Sequence, residues 1–556
     1  MANKNVFRSG PHSKIRNTTH RNAAGGRAYK LDDAEALCQY VVTSTFSDVY
    51  YASAGEQLKE VQRLCGNVDP ETIAKAAVYG RQRGKMKDVP AYLCAHLAAI
   101  GRVDLLKKVF PKVIDNPKML LNFVQIVRSG VTGRRSFGSA VKKLIQNWIT
   151  SKRGNQLFRA SIGKSDPSLV DVIKMVHPTP TSQEQSALFA YLLGAQLDGN
   201  DPEMLIRKGK DGKVLQEYAF TDLPPLTQEF EWFKFDNSMP IPDLDYRALT
   251  NCSLTKDHWK EIAKNMPWNT LRMNLNVLAR NGVFEDDEMV DKVAAKIANP
   301  TEVERWSVFP YQLMTSYLYT KDDVPAAVKN SLQIAMEHAT KNVPQLGRRV
   351  GIAVDVSGSM HSSVTGYRTG QASVVRCCDV AALIASSLAR TNTEATIVGF
   401  GTQARITPGF NPWDSVMTNS QKLVAEGSVL GYGTNAGAAM DVFNAQRKPY
   451  DFIVYVSDCQ SWVDSRGSSM FSGYGRGYGG NGTPLMEKWA TQRVGNKNAK
   501  LAEINVAAYG DSQADSKDKS ILNVGGFSDA VFDVLAEFAE RTDNVSFLSV
   551  VDRVEL

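Results

Sequence analysis

The sequence predicts an α-helical repeat region followed by an α/β domain, and three observations carry that prediction. From Asp32 to about Thr340, apolar residues recur at three- and four-residue spacing with breaks at Gly, Pro and Asn, the period of amphipathic helices. From Arg348 onward, short apolar runs alternate with helical stretches, the pattern of a doubly wound parallel sheet. A chain of 556 residues also exceeds what one hydrophobic core usually organises, so more than one domain is expected.

Composition narrows the class. Hydrophobic residues make up 43% and charged residues 22%, as in a folded soluble protein. No run of eighteen apolar residues occurs and the first residues are polar, so the expectation is a cytoplasmic chain that does not cross a membrane. The seven cysteines lack C-x-x-C spacing and do not form an even framework, which implies reduced, mostly buried thiols. Charge is unevenly spread. From Gly347 to the end there are 19 Lys and Arg against 21 Asp and Glu, whereas the part before it carries 46 against 37. Within Gly101–Lys164 there are 14 basic residues, and the only acids are Asp104 and Asp115.

In chain order, residues 1–27 read as a basic, polar arm: Arg8, His12, Lys14, Arg16, His20 and Arg21, then Asn22-Ala23-Ala24-Gly25-Gly26. Such an arm suits an acidic surface or nucleic acid. Residues 28–346 hold about a dozen helical segments, read as stacked pairs in a solenoid from their succession, since no strict repeat period is visible. Inside them lies the basic cluster. Arg128, Arg134 and Arg135 sit in or beside the Gly- and Ser-rich stretch 128–138, and the helix that follows places Val141, Leu144, Ile145 and Trp148 on one face, leaving Lys142 and Lys143 to project with the arginines. Arg159 and Lys164 extend the surface, and Lys174 and His177 follow on the next helix, which the Pro178 and Pro180 break ends. Phosphate backbones favour such a face, because Lys and Arg contacts release condensed counterions. Gly163-Lys164-Ser165 is not a Walker loop, since its first glycine would fall at Phe158.

The stretch 194–235 is less regular, with Lys208–Lys213 as a turn or hairpin tip, and Met266–Leu275 reads as a helix start whose Asn and Arg residues would suit a polar groove. Residues 347–556 form the α/β part. Strands are predicted at Val350–Val354, Ala395–Phe400, Phe452–Val456, Leu501–Ala508 and Val545–Val550, with helices at Ser373–Arg390, Asn435–Ala445 and Ala530–Arg541. Ligands of such sheets bind beyond the carboxyl ends of strands. Asp355, Ser357 and Ser359 follow the first strand in the spacing D-x-S-x-S, Asp458 follows Phe452–Val456 closely, and Thr434 opens a helix from a tight loop. Carboxylates and hydroxyls in that number suit a hard cation such as Mg2+, or another divalent ion, with room for waters and an incoming ligand. No His or Lys is placed as a general base, so an enzyme is not expected. Residues 467–482 form a Gly-rich insertion with two tyrosines and an arginine, a composition compatible with stacking on single-stranded RNA.

These residues bring known families to hand. Asp355-x-Ser357-x-Ser359 with Thr434 and Asp458 resembles the metal-ion-dependent adhesion site of a von Willebrand factor A domain. The preceding part is similar to the TROVE module of the Ro autoantigen family in its bacterial-type versions. That similarity is carried by Asn22–Gly26, Tyr50-Tyr51-Ala52-Ser53, Gly138–Trp148, His177-Pro178, Met266–Leu275 and Pro310-Tyr311-Gln312-Leu313. The resemblance implies a monomeric ring of HEAT-type helical repeats joined to the A domain. It also implies binding of small Y-type noncoding RNA on the outer basic surface and of single-stranded ends of misfolded RNA in the central hole, for RNA quality control, in bacteria together with the exoribonuclease polynucleotide phosphorylase. Y-type contacts are then expected at Lys142, Lys143, Arg159, Lys164, Lys174 and His177, with Arg134 and Arg135 nearby. Two departures from the family pattern stand out: Ile162 and Gly163 replace more usual basic or polar residues, and the 467–482 insertion is unusual. A second reading makes the A domain a metal-dependent adaptor that captures a partner carboxylate, with RNA binding secondary.

Overall fold

The computed structural model describes residues 15–163, 165–199, 201–209, 211–249, 252–306, 308–340, 343–368, 371–372, 374–446, 449–463, 482–540 and 545–556. The chain divides into two compact units. One comprises Met1–Pro90, Ser307–Tyr319 and Gln333–Glu555; the other comprises Ala91–Trp306 and Thr320–Leu332, with Leu556. This division cuts across the sequence boundaries near residues 28 and 347, because the first 90 residues pack with the α/β part.

The second unit is built from successive short helices, each burying one stripe. Pro117–Ser129 buries Met119, Leu120, Phe123, Val124 and Val127. Its Asn116 cap accepts from the Met119 amide at 3.1 Å, and Gly130 ends it at φ 79°, in the left-handed region that glycine favours. Ser139–Thr150 buries Val141, Ile145, Trp148 and Ile149, while Leu144 is only half-buried. The irregular stretch after Gly194 is a three-stranded antiparallel sheet of Gln196–Leu197, Met204–Lys208 and Val214–Ala219. Its hairpin tip falls within the predicted Lys208–Lys213 turn. At Met266–Leu275 a helix does start after Pro267. Trp268 is buried and donates to the Ile297 carbonyl, and Arg272 is buried at 5.9 Å from the Trp268 ring rather than lining an open groove.

In the first unit, a six-stranded sheet holds β1 (Val350–Asp355), β2 (Thr396–Phe400), β3 (Ala404–Ile406), β4 (Phe452–Ser457), β5 (Lys500–Asn505) and β6 (Ile521–Gly525), in the order β6-β5-β4-β1-β2-β3. All neighbours are parallel except β3, which closes the β2 edge antiparallel, so the sheet is mixed rather than wholly parallel. Every residue of β1 and β4 is buried, as expected of strands covered on both faces. Gly351 permits this on one side, since a Cβ there would lie 2.9 Å from the Phe443 ring of the helix Ala436–Asn444. The predicted strand Val545–Val550 is instead a helix, Phe547–Asp552. The side chain of Ser546 caps it, and Phe547 packs edge-on against Tyr79 at 5.5 Å, so tertiary packing overrides a β-branched run.

The basic-arm reading also changes. Residues 1–14 lie outside the described residues, but from Ile15 the segment is packed on the α/β part. Tyr29–Lys30 pairs antiparallel with Asp511–Ser512, Arg16 forms an ion pair with Asp515 at 2.8 Å, and Tyr29 is 1% exposed. Of the Gly-rich insertion only Gly482 is described; its carbonyl accepts from Arg27 at 3.3 Å, and residues 467–481 lie outside the described residues.

Candidate functional sites

The carboxyl edge of β1 and β4 collects all five ligand-type residues. Asp355, Ser357, Ser359, Thr434 and Asp458 are each at most 4% exposed. Asp355 ends β1; its Oδ1 accepts the Ser357 amide at 2.9 Å and its Oδ2 accepts the Ser457 hydroxyl at 2.5 Å. The turn after β1 is pinned by the Gly358 amide donating to the Tyr432 carbonyl at 2.9 Å. That bond draws in the loop carrying Thr434, whose hydroxyl donates to Ser357 Oγ at 3.0 Å. Ser357 and Ser359 hydroxyls are 3.5 Å apart. Asp458 is fixed by the Gln460 amide at 3.0 Å, and Trp462 and Val463 amides donate to the Thr434 carbonyl, so the loop after β4 is stitched to the loop before Ala436–Asn444.

Two buried carboxylates at one point are electrostatically costly unless a cation joins them. Burial, and then the charge of Asp458, push Asp355 up to about 7, against the pull of hydrogen bonds from Ser457 and Ser357. Asp458 is raised by burial as well. Neither carboxylate forms an ion pair with Lys or Arg among the described residues. Two carboxylates and three hydroxyls converging without a protein cation fit a hard divalent ion, with positions left for water.

This edge is also built by a segment whose part in it the sequence does not reveal. The Asn22 side chain donates to the Ser461 carbonyl at 2.8 Å, and the Ala23 amide donates to Gln460 Oε1 at 2.9 Å. A Cβ at Gly26 would lie 1.9 Å from the Ser461 carbonyl oxygen, so the Asn22–Gly26 turn touches the Asp458 loop backbone to backbone. The local signal there is Asn22–Gly26 itself, which composition assigns to a basic, polar arm.

In the second unit, the helix Ser139–Thr150 meets the end of Leu169–Val176 through Gln146, whose amide donates to the Val176 carbonyl at 2.7 Å. Lys142 and Lys143 precede Gln146 by four and three residues and so share its side of the helix. Lys143 is exposed and Lys142 half-buried. At the other side of the joint, His177 caps Leu169–Val176 in a left-handed conformation (φ 47°), and both Lys174 and His177 are exposed. Arg128 reaches the sulfur of Met175 at 2.8 Å, which brings it to the same helix. Arg134 donates to the Ala98 carbonyl at 3.3 Å, and exposed Arg135 folds across Gly130. Arg135, Lys142, Lys143 and Lys174 form no ion pair among the described residues.

Arg159 departs from this group, being paired with Asp243 at 2.5 Å. Lys164 lies outside the described residues. A cleft of about 330 Å3 opens beside the cluster, lined by Lys174 and His177 together with Ser186, Arg207 and Gln216. Arg207 comes from the three-stranded sheet, and the sequence offered no spacing that would join it to His177.

The fold defines the class: a helical-repeat protein with an α/β domain built on a mixed six-stranded sheet. Residues 349–471 match the Ro60 vWA domain family. The RNA-binding protein RO60 of Deinococcus radiodurans is 23% identical over 547 residues, covering 93% of this chain and 95% of the relative. The Caenorhabditis elegans RNA-binding protein RO60 is 20% identical over 613 residues, covering 94% and 90%. In fold, the crystal structure of the Deinococcus radiodurans RO (RSR) protein superposes with a TM-score of 0.58 at 20% identity, covering 91% of this chain and 99% of that one. The chain is thus similar to Ro proteins over most of its length, and in fold to a solved member of that group.

Proposed function

We propose that this chain binds RNA through the face formed by Arg128, Arg134, Arg135, Lys142, Lys143, Lys174 and His177. The observation that carries the reading is the joint at Gln146, where side chains from three helices and a loop present cations that form no ion pair among the described residues. A phosphate backbone is the polyanion for which such a surface gains most, through counterion release. The relatives named RNA-binding protein RO60 support the same reading. Arg159 contributes less than its position in the sequence suggests, since binding a phosphate there competes with Asp243.

Within that reading, the finer assignment is a small structured RNA of the Y type on this face and misfolded RNA with single-stranded ends as a second class of ligand. RNA quality control in the cytoplasm beside an exoribonuclease such as polynucleotide phosphorylase is the matching cellular role, with the chain as binder rather than catalyst. Asp355, Ser357, Ser359, Thr434 and Asp458 would hold Mg2+ or another divalent ion, whose charge would offset the two buried carboxylates and leave a position for an oxygen ligand.

Electrophoretic titration of a small structured RNA tests the surface. Removing Arg134, Arg135, Lys142 and Lys143 together weakens binding and lowers the salt slope by roughly one unit for each phosphate no longer engaged. Unchanged affinity in that variant would defeat the assignment.

A further inference from the structure

The cleft beside His177 has two walls of different origin. One is the joint between the helices Leu169–Val176 and Gln183–Leu192. It contributes Ile173, Phe189 and Ala190 as an apolar floor, each at most 6% exposed, and Lys174 and His177 as a rim. The other wall is the three-stranded sheet. Leu205 pairs with Tyr218 and Arg207 with Gln216, so the alternation of a strand turns all four side chains to one face. The first of these pairs is covered: Leu205 and Tyr218 share a buried cluster with Ala187 and Ala190, and the Tyr218 and Ser186 hydroxyls are 2.8 Å apart. The second pair is left at the cleft. Arg207 and Gln216 line its sheet side, and the Arg207 guanidinium donates to Gln216 Oε1 at 3.3 Å.

No carboxylate lines this cleft, and Arg207, like Lys174, forms no ion pair among the described residues. Cations on two rims above an apolar floor, around a space of about 330 Å3, suit a flat and largely apolar body that carries negative charge. A nucleotide has that chemistry. In a duplex its base is stacked and paired, with its faces closed to side chains, so only an unpaired nucleotide can enter. We propose that the cleft takes one unpaired nucleotide of the bound RNA, with its base on the apolar floor, its phosphate held from the two rims by Lys174 and Arg207, and the Gln216 amide at the base edge. The proposal rests on the RNA-binding face given above. It adds a preference that summed charge does not supply, for a stem carrying an unpaired base over an uninterrupted one, and it makes the three-stranded sheet part of the RNA site.

Fluorescence anisotropy of the full chain with three labelled hairpin RNAs of one stem sequence tests this. One stem is fully paired, one carries a single unpaired adenosine, and one carries an abasic nucleotide at that place. The wild type binds the adenosine RNA roughly fivefold or more tightly than the other two, the share of one stacked base. The double variant Arg207→Ala, Gln216→Ala, with an unchanged circular dichroism spectrum, loses that preference to less than about twofold and holds the fully paired RNA within about threefold of the wild type. Equal binding of the three RNAs by the wild type, the full preference kept with the abasic RNA, or the full preference kept in the double variant would overturn the role of the cleft while leaving the basic face standing. Binding of free adenosine 5′-monophosphate with no preference among the RNAs would make the cleft a mononucleotide site and overturn its role in RNA. Fully paired RNA bound equally by the wild type and the Arg134, Arg135, Lys142, Lys143 charge-removal variant would overturn the face itself and this proposal with it.

Discussion

At Asp355 every ligand-type side chain is buried and hydrogen-bonded to a neighbour, whereas at Arg135, Lys143 and Lys174 the charged groups stand in solvent without an ion-pair partner among the described residues. The first site stores its specificity in geometry. Oxygen atoms from three loops are held in place by backbone and side-chain hydrogen bonds, so one substitution is enough to remove what it does. The second stores its specificity in summed charge, where each cation adds a modest, salt-screened share and no single residue is indispensable. Substitutions should therefore act abruptly at one site and gradually at the other.

The sharpest break comes at the buried cluster. Asp355→Ala removes a carboxylate from the centre of the network, and divalent-ion affinity measured by calorimetry is expected to fall at least 100-fold while affinity for RNA stays within twofold. Next in size, Gly26→Ala forces a methyl group against the Ser461 carbonyl. The expected cost is about 1–3 kcal/mol of stability, read by chemical denaturation, with weaker Mn2+ binding because the Asp458 loop shifts; RNA affinity of the folded variant is retained.

A pH series compared between the wild type and Asp511→Asn reads the N-terminal seam, since Asp355 is raised into the same range. Asp511, which pairs with Lys30 across the seam, is pushed up to about 7 by burial and then by Glu503. An acid raised in the folded state keeps its proton longer than in the unfolded chain. Its contribution to stability is complete below the ordinary value of 3.8 and is lost as pH rises through about 7. In chelator-treated protein, stability should thus decline between pH 4 and 7, and Asp511→Asn should flatten that decline by on the order of 2 kcal/mol. The smallest effect is expected at Arg159. Because it already engages Asp243, Arg159→Ala should change RNA affinity less than Lys143→Ala in the same titration.

The two sites were legible in the sequence to different depths. D-x-S-x-S after a buried strand is a local pattern, and Asp355, Ser357 and Ser359 could be placed from it alone; Thr434 and Asp458 followed because strand ends in such sheets converge. The charge count found the basic face, and helical spacing put Lys142 and Lys143 on its rim. What stayed hidden was set by contacts distant in sequence. Nothing near Gly26 indicates the Ser461 carbonyl. Local propensity also misread Val545–Val550, where the Ser546 cap and the Tyr79 contact turn a strand-like run into a helix. The strand Ile521–Gly525 was missed because five residues with a central Asn give little periodicity, although pairing with Leu501–Asn505 buries all but that Asn.

The central claim is that recognition of RNA lies in the exposed charges of the helical unit and not in the buried cluster. Fluorescence anisotropy of one labelled small structured RNA across a salt series, run in parallel on the wild type, Asp355→Ala and the Arg134, Arg135, Lys142, Lys143 charge-removal variant, tests it most directly. The account predicts that the wild type and Asp355→Ala share one steep salt slope, while the charge-removal variant binds more weakly with a slope shallower by roughly 3 to 4 units. A charge-removal variant that keeps the wild-type slope, with Asp355→Ala losing the RNA instead, would contradict it.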